Sequence, residues 1–125
     1  AKVLPPAALV VSAAGCAGGQ RRGVSELGEE ALLESLKKWG VVPSEIWEDE
    51  GLRTAVLPSL RGDLHMFEHF TPSEGALKCR VVVMGGAEDP AVSVEDLEGW
   101  KQVAPGVVDV NIFEGDHFFL YSNPE

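Results

Sequence analysis

Among the three histidines of this 125-residue chain, His117 stands where an imidazole can do chemistry. It lies in Glu-Gly-Asp-His-Phe-Phe, residues 114–119, just after an alternating apolar run. Asp89, 28 residues earlier, lies in Gly-Gly-Ala-Glu-Asp-Pro, residues 85–90, at the end of another apolar run. Functional groups of an open parallel α/β sheet collect in the loops at the carboxyl ends of its strands. If the two runs are parallel strands, both loops open on one edge of the sheet. The acid can then hold the imidazole in the tautomer that a general base needs. Pro90 biases Asp89 towards an extended backbone, which fixes its direction at the turn. Phe118 and Phe119 are expected to shield the ring. A plainer reading stands beside this one: an Asp in a Gly/Pro turn serves the turn, and a His beside aromatics packs.

Other residues invite chemistry and are weaker. Ala-Gly-Cys-Ala-Gly, residues 14–18, imitates a nucleophile elbow around Cys16, and the order Cys16, Asp89, His117 fits a hydrolase triad. An elbow turns straight into a helix, however, and the residues that follow show no helical period. His65-Met66-Phe67-Glu68-His69 matches an inverted zinc-peptidase signature, and two histidines one turn apart can bind zinc. The same residues read as an amphipathic helix with Leu64, Phe67 and Phe70 inward, so no metal is expected. Gly15, Gly18 and Gly19 lack the spacing of a phosphate or dinucleotide loop, and no cofactor is expected.

The elements that must position the pair are legible around it. Residues 7–13 form a short continuous apolar run, read as a strand buried on both faces, and residues 79–86 form a second. Residues 107–113 alternate, with Val108, Val110 and Ile112 on one side, and predict a strand near a sheet edge. A polar, flexible connector is expected over 20–28. Residues 29–39 place Leu32, Leu33, Leu36 and Trp39 on one helical face, with acids first, lysines last and Gly40 as the cap. A short helix opens near Pro43-Ser44. Leu52, Val56, Leu60, Leu64 and Phe67 make a longer stripe, which Pro58 and Gly62 are expected to split into two helices at a bend. Ser93 and Asp96 have capping-box spacing at the start of a helix over 93–104, with Val92 and Leu97 as its staple and Pro105-Gly106 as its end. Strands separated by helices imply a parallel α/β sheet with right-handed crossovers. Three such strands leave buried-type sequence on an open edge, so the chain is expected to be the C-terminal part of a larger fold.

Composition bounds the class. A net charge of −10, from 20 acidic and 10 basic residues, argues against nucleic-acid binding. Only the pairs Arg21-Arg22 and Lys37-Lys38 offer local positive charge. No apolar run approaches the ~20 residues of a membrane span, and no signal-peptide pattern opens the chain. Cys16 and Cys79 make neither a metal motif nor a disulfide framework, which suits a reducing, cytoplasmic compartment.

From Leu9-Val-Val-Ser-Ala-Ala-Gly15, through Leu60-Arg-Gly-Asp-Leu-His-Met-Phe-Glu-His-Phe70, Cys79-Arg-Val-Val-Val-Met-Gly-Gly-Ala-Glu-Asp-Pro90 and Gly99-Trp100, to Gly115-Asp-His-Phe-Phe-Leu120, nearly the whole chain resembles the C-terminal half of the type II thioesterases, members of the α/β-hydrolase superfamily. The resemblance implies the C-terminal part of an α/β-hydrolase fold, with residues 25–72 as a helical lid insertion. It implies Asp89 as the triad acid and His117 as the triad base. It implies hydrolysis of an acyl thioester carried on the phosphopantetheine arm of a carrier protein, in polyketide, nonribosomal peptide or fatty-acid biosynthesis. The family's serine nucleophile sits in a Gly-x-Ser-x-Gly elbow, and no serine of this chain has that setting; Ser12, for example, lies between Val11 and Ala13. The chain alone is therefore expected to be inactive, completed by an upstream segment or a second chain. Two alternatives stay open: an acyl- or carrier-binding module without a nucleophile, and an α/β-hydrolase acting on another ester.

Overall fold

The computed structural model describes residues 4, 6–16, 23–71, 75–104, 106 and 108–122. Gly18-Gly19, the Arg21-Arg22 pair and Pro105 lie outside the described residues. The chain divides into two compact units, one built from residues 1–19 and 72–125, the other from residues 20–71.

The first unit contains three parallel strands in the order β1-β2-β3: β1 (Ala8–Ser12), β2 (Arg80–Gly86) and β3 (Val108–Phe113). Val11 lies level with Val83, and Val83 with Val110, so one face of the sheet carries a continuous valine row. That face packs against Leu97 and Ala104, and Val81, Val83, Leu97 and Ala104 are fully buried. Burial of each of the valine and leucine side chains is worth about 1.5–3 kcal/mol. Only β2 approaches the expectation of a strand covered on both sides. In β1, Val11 is buried while Val10 is 59% exposed. A continuous apolar run cannot reveal by itself which of its two faces a neighbour covers. β3 follows its alternating pattern only as far as Asn111: Val108 and Val110 are half-buried and Asp109 and Asn111 exposed, but Ile112, expected on the valine side, is exposed too.

Two helices replace the single one expected over 93–104: α4 (Val94–Glu98) and α5 (Trp100–Val103), broken at Gly99. The capping box is present, Ser93 Oγ accepting from the Asp96 N–H while Asp96 accepts from the Ser93 N–H. One short helix, α6 (Phe119–Ser122), was not anticipated. Its Phe119 is buried and stacks on Phe113 at 5.4 Å between centroids.

The second unit is helical: α1 (Glu29–Trp39), α2 (Ser44–Glu48) and α3 (Glu50–His69). Leu32, Leu36, Val42 and Leu57 form its buried centre, with Leu33, Trp39, Leu60 and Leu64 packed around them. α3 corrects the expectation of two helices, since it runs for 20 residues with Pro58 inside it. A proline removes one backbone donor, and the ladder on either side continues. The buried α3 leucine is Leu57, whereas Phe67 and Phe70, read as inward, are 55% and 61% exposed. The described part of the connector, from residue 23 to 28, is hydrogen-bonded to α3. Glu68 accepts from the Val24 and Ser25 N–H groups and from Ser25 Oγ, while Arg61 donates to the Ser25 and Leu27 carbonyls. Among the described residues, no helix is long and apolar enough to cross a membrane.

Candidate active site

The strand order fixes where Asp89 and His117 stand. β2 and β3 are adjacent and parallel, so their carboxyl ends, Gly86 and Phe113, lie level with one another. Ladder-like bonds continue past the strands: the Ala87 N–H donates to the Phe113 carbonyl and the Glu88 N–H to the Gly115 carbonyl. A Cβ built on Gly86 would run into the carbonyl oxygens of Gly115 and Asp116, so only glycine lets the β3 loop lie this close. Gly115, at φ 113°, turns that loop in a region that side chains rarely adopt.

The outcome is a directed pair. His117 Nδ1 lies 2.9 Å from Asp89 Oδ2. The Asp89 side chain is 1% exposed and the His117 side chain 24%. The second carboxylate oxygen, Oδ1, accepts from the Ala91 and Val92 N–H groups at 2.7 and 3.1 Å. Both oxygens of this buried acid are therefore engaged, as a buried charge requires. A carboxylate partner places the proton on Nδ1, which leaves Nε2, on a ring partly open to solvent, as the nitrogen for proton exchange. The two readings of Asp89 are thus not exclusive: one carboxylate both closes its turn and orients the imidazole.

The neighbours have separate duties. Phe118 meets the His117 ring edge-on at 5.5 Å, while Phe119 is buried and stacks on Phe113. Asp116, the second acid beside the base, is used locally, its carboxylate accepting from the Phe118 N–H at 2.8 Å. Glu88 was passed over by sequence reasoning. Its side chain accepts from the Gly115 N–H at 2.6 Å. Its only signal was its place beside Asp89 in the same loop.

The rival sites fare differently. The Cys16 N–H donates to the Asp96 carbonyl, and the residues that would form the helix of an elbow, from 17 to 22, lie outside the described residues. In the His-x-x-Glu-His segment, both carboxylate oxygens of Glu68 are taken by the 24–25 turn and His69 Nδ1 is bonded to the His65 carbonyl. No group of three or more potential ligands is gathered for a metal among the described residues.

Comparison with known proteins agrees with this architecture. The family model described as "Thioesterase domain" matches residues 1–125. A probable cadicidin biosynthesis thioesterase of Streptomyces griseus is 31% identical over 93 residues, covering 74% of this chain and 26% of that protein. The medium-chain S-acyl fatty acid synthase thioesterase of Rattus norvegicus is 31% identical over 100 residues, covering 78% and 37%. The solved structure of BorB, a type II thioesterase from the borrelidin biosynthetic cluster, superimposes with a TM-score of 0.73 at 28% identity, covering 98% of this chain and 51% of that one. The chain thus spans about half, or less, of the length of the relatives it matches. With its parallel sheet and crossover helices, it belongs to the thioesterase family, among the type II thioesterases of the α/β-hydrolase fold.

Proposed function

We propose that this chain supplies the acid and base of a serine thioesterase that hydrolyses acyl thioesters on the phosphopantetheine arm of a carrier protein. The observation that carries the reading is the 2.9 Å contact from His117 Nδ1 to the buried Asp89 carboxylate. Nε2 of His117 takes the proton from a serine hydroxyl as its oxygen attacks the thioester carbonyl carbon. The tetrahedral intermediate collapses, the C–S bond breaks, and the proton passes from His117 to the leaving thiolate. His117 then takes a proton from water as its oxygen attacks the acyl-enzyme carbonyl, and gives that proton to the serine oxygen as the acyl C–O bond breaks and the free acid leaves. Asp89 orients the ring throughout and balances the imidazolium.

The serine and its oxyanion hole come from an elbow outside these 125 residues, so the chain alone does not turn over substrate. Residues 25–72 serve as the lid over the acyl chain. Relatives named for cadicidin biosynthesis and for fatty acid synthase support a carrier-bound substrate. A content of only two cysteines, without metal-type spacing, suits a cytoplasmic setting.

The test is thiol release from an acyl-carrier by the full-length protein. His117→Ala is expected to lower kcat by roughly 10⁶-fold and Asp89→Asn by roughly 10⁴-fold, as in other triads. Circular dichroism should be unchanged for both. Hydrolysis at the original rate in either variant overturns the reading. Faster turnover of a simple oxygen ester than of the acyl-carrier would retain the triad and reject the substrate.

A further inference from the structure

Asp89 and His117 sit on two different loops, and a hydrogen bond between them survives only if the loops hold their spacing. The β2–β3 ladder ends at Gly86 and Phe113, before either residue is reached. Beyond the bond from the Ala87 N–H to the Phe113 carbonyl, the link between the loops comes from Glu88. Its N–H donates to the Gly115 carbonyl at 3.0 Å, and its carboxylate Oε2 accepts from the Gly115 N–H at 2.6 Å. One residue thus grips both backbone polar groups of Gly115, and a side-chain oxygen replaces the backbone acceptor that a longer β2 would have supplied. Glu88 is the immediate neighbour of Asp89, and Gly115 stands two residues before His117. Gly115 at φ 113° holds a conformation that only glycine adopts readily, and the two Glu88 bonds fix the loop at this turn. A charged acceptor also makes the stronger bond to an N–H.

We infer that Glu88 is a positioning residue for the acid–base pair, its carboxylate clamping the Gly115 peptide so that His117 stays within hydrogen-bonding reach of Asp89. The inference rests on the proposed triad, and its test separates the two. In the full-length protein, the Nδ1–H proton of His117 is followed by low-field proton NMR, beside kcat and KM for an acyl thioester. Glu88→Ala is expected to weaken or broaden that resonance and to lower kcat on the order of tenfold to a hundredfold, the cost of a small misplacement, with KM unchanged. Glu88→Gln keeps an acceptor oxygen and is expected to restore both. Because Glu88 is exposed, the urea midpoint of Glu88→Ala should stay near that of the parent. A full resonance and full kcat in Glu88→Ala overturn the inference while leaving the triad standing. Equal loss of kcat in the Ala and Gln variants with the resonance intact also overturns it, since the charge and not the clamp would then matter. A parent protein with no such resonance defeats the Asp89–His117 pair itself, and the clamp with it.

Discussion

At the scale of single residues, this chain uses carboxylates as staples before it uses them as acids. Asp89 accepts two backbone N–H groups with one oxygen and faces His117 with the other. Glu68 does the same work in the helical unit, and there the electrostatic consequence is visible. Burial by itself favours the neutral form, but the bonds from the Ser25 hydroxyl and the Ser25, Val24 and Gly23 N–H groups together outweigh it. The carboxyl is held below its ordinary value of 4.5. The sign of the pH effect follows from linkage. A group whose folded value is lowered contributes stability that is complete above the unfolded value and is lost as pH falls through the folded one. The helical unit should therefore weaken on acidification from about 4.5 downward. Glu68→Gln should be less stable at neutral pH and show a shallower acid slope, by urea unfolding followed by circular dichroism at a series of pH values. Parallel slopes for parent and variant would remove Glu68 from the account.

At the scale of elements, α3 is the informative case. Its 20 residues include both Pro58 and Gly62, and neither ends it. Nothing lies within 4 Å of a Cβ built on Gly62, and that residue is exposed. Gly62→Ala is thus expected to stabilise the protein by roughly 0.5–1 kcal/mol, the ordinary cost of glycine in a helix interior, read as a higher urea midpoint at unchanged slope. No gain would mean that α3 is already strained at this turn. The same helix marks how far sequence reading reaches. α1, the capping box at Ser93 and the parallel strands were legible because periodicity and caps are local signals. The continuity of α3 was not, because a proline states only that one hydrogen bond is missing. Nor were the outward Phe67 and Phe70, since a stripe states a face and not what covers it. At the candidate site, Asp89 and His117 could be paired from strand topology alone. The Glu88 clamp and the capping role of Asp116 could not, because both depend on where loop peptides point.

At the scale of the whole molecule, charge is the dominant unbalanced term. The chain carries 20 acidic against 10 basic residues. The resolved lysine and arginine ion pairs, Arg80 with Asp109 and Lys101 with Glu98, are more than two-fifths exposed on every side chain. Exposed pairs contribute about 0–1 kcal/mol each, and less in salt. The net excess of ten negative charges repels itself over distances that salt controls, since the screening length shrinks from about 30 Å at 0.01 M to about 8 Å at 0.15 M. Repulsion destabilises the compact state more than the unfolded one, where the charges are further apart. Adding sodium chloride over that range should therefore raise the thermal midpoint, although salt weakens the two ion pairs. Chloride is the proper choice, because sulfate would strengthen apolar burial by exclusion and give the same sign for another reason. A midpoint that falls with sodium chloride would mean that attractive contacts outweigh the excess of acid, and the charge balance of the sequence would then misstate the energetics of the fold.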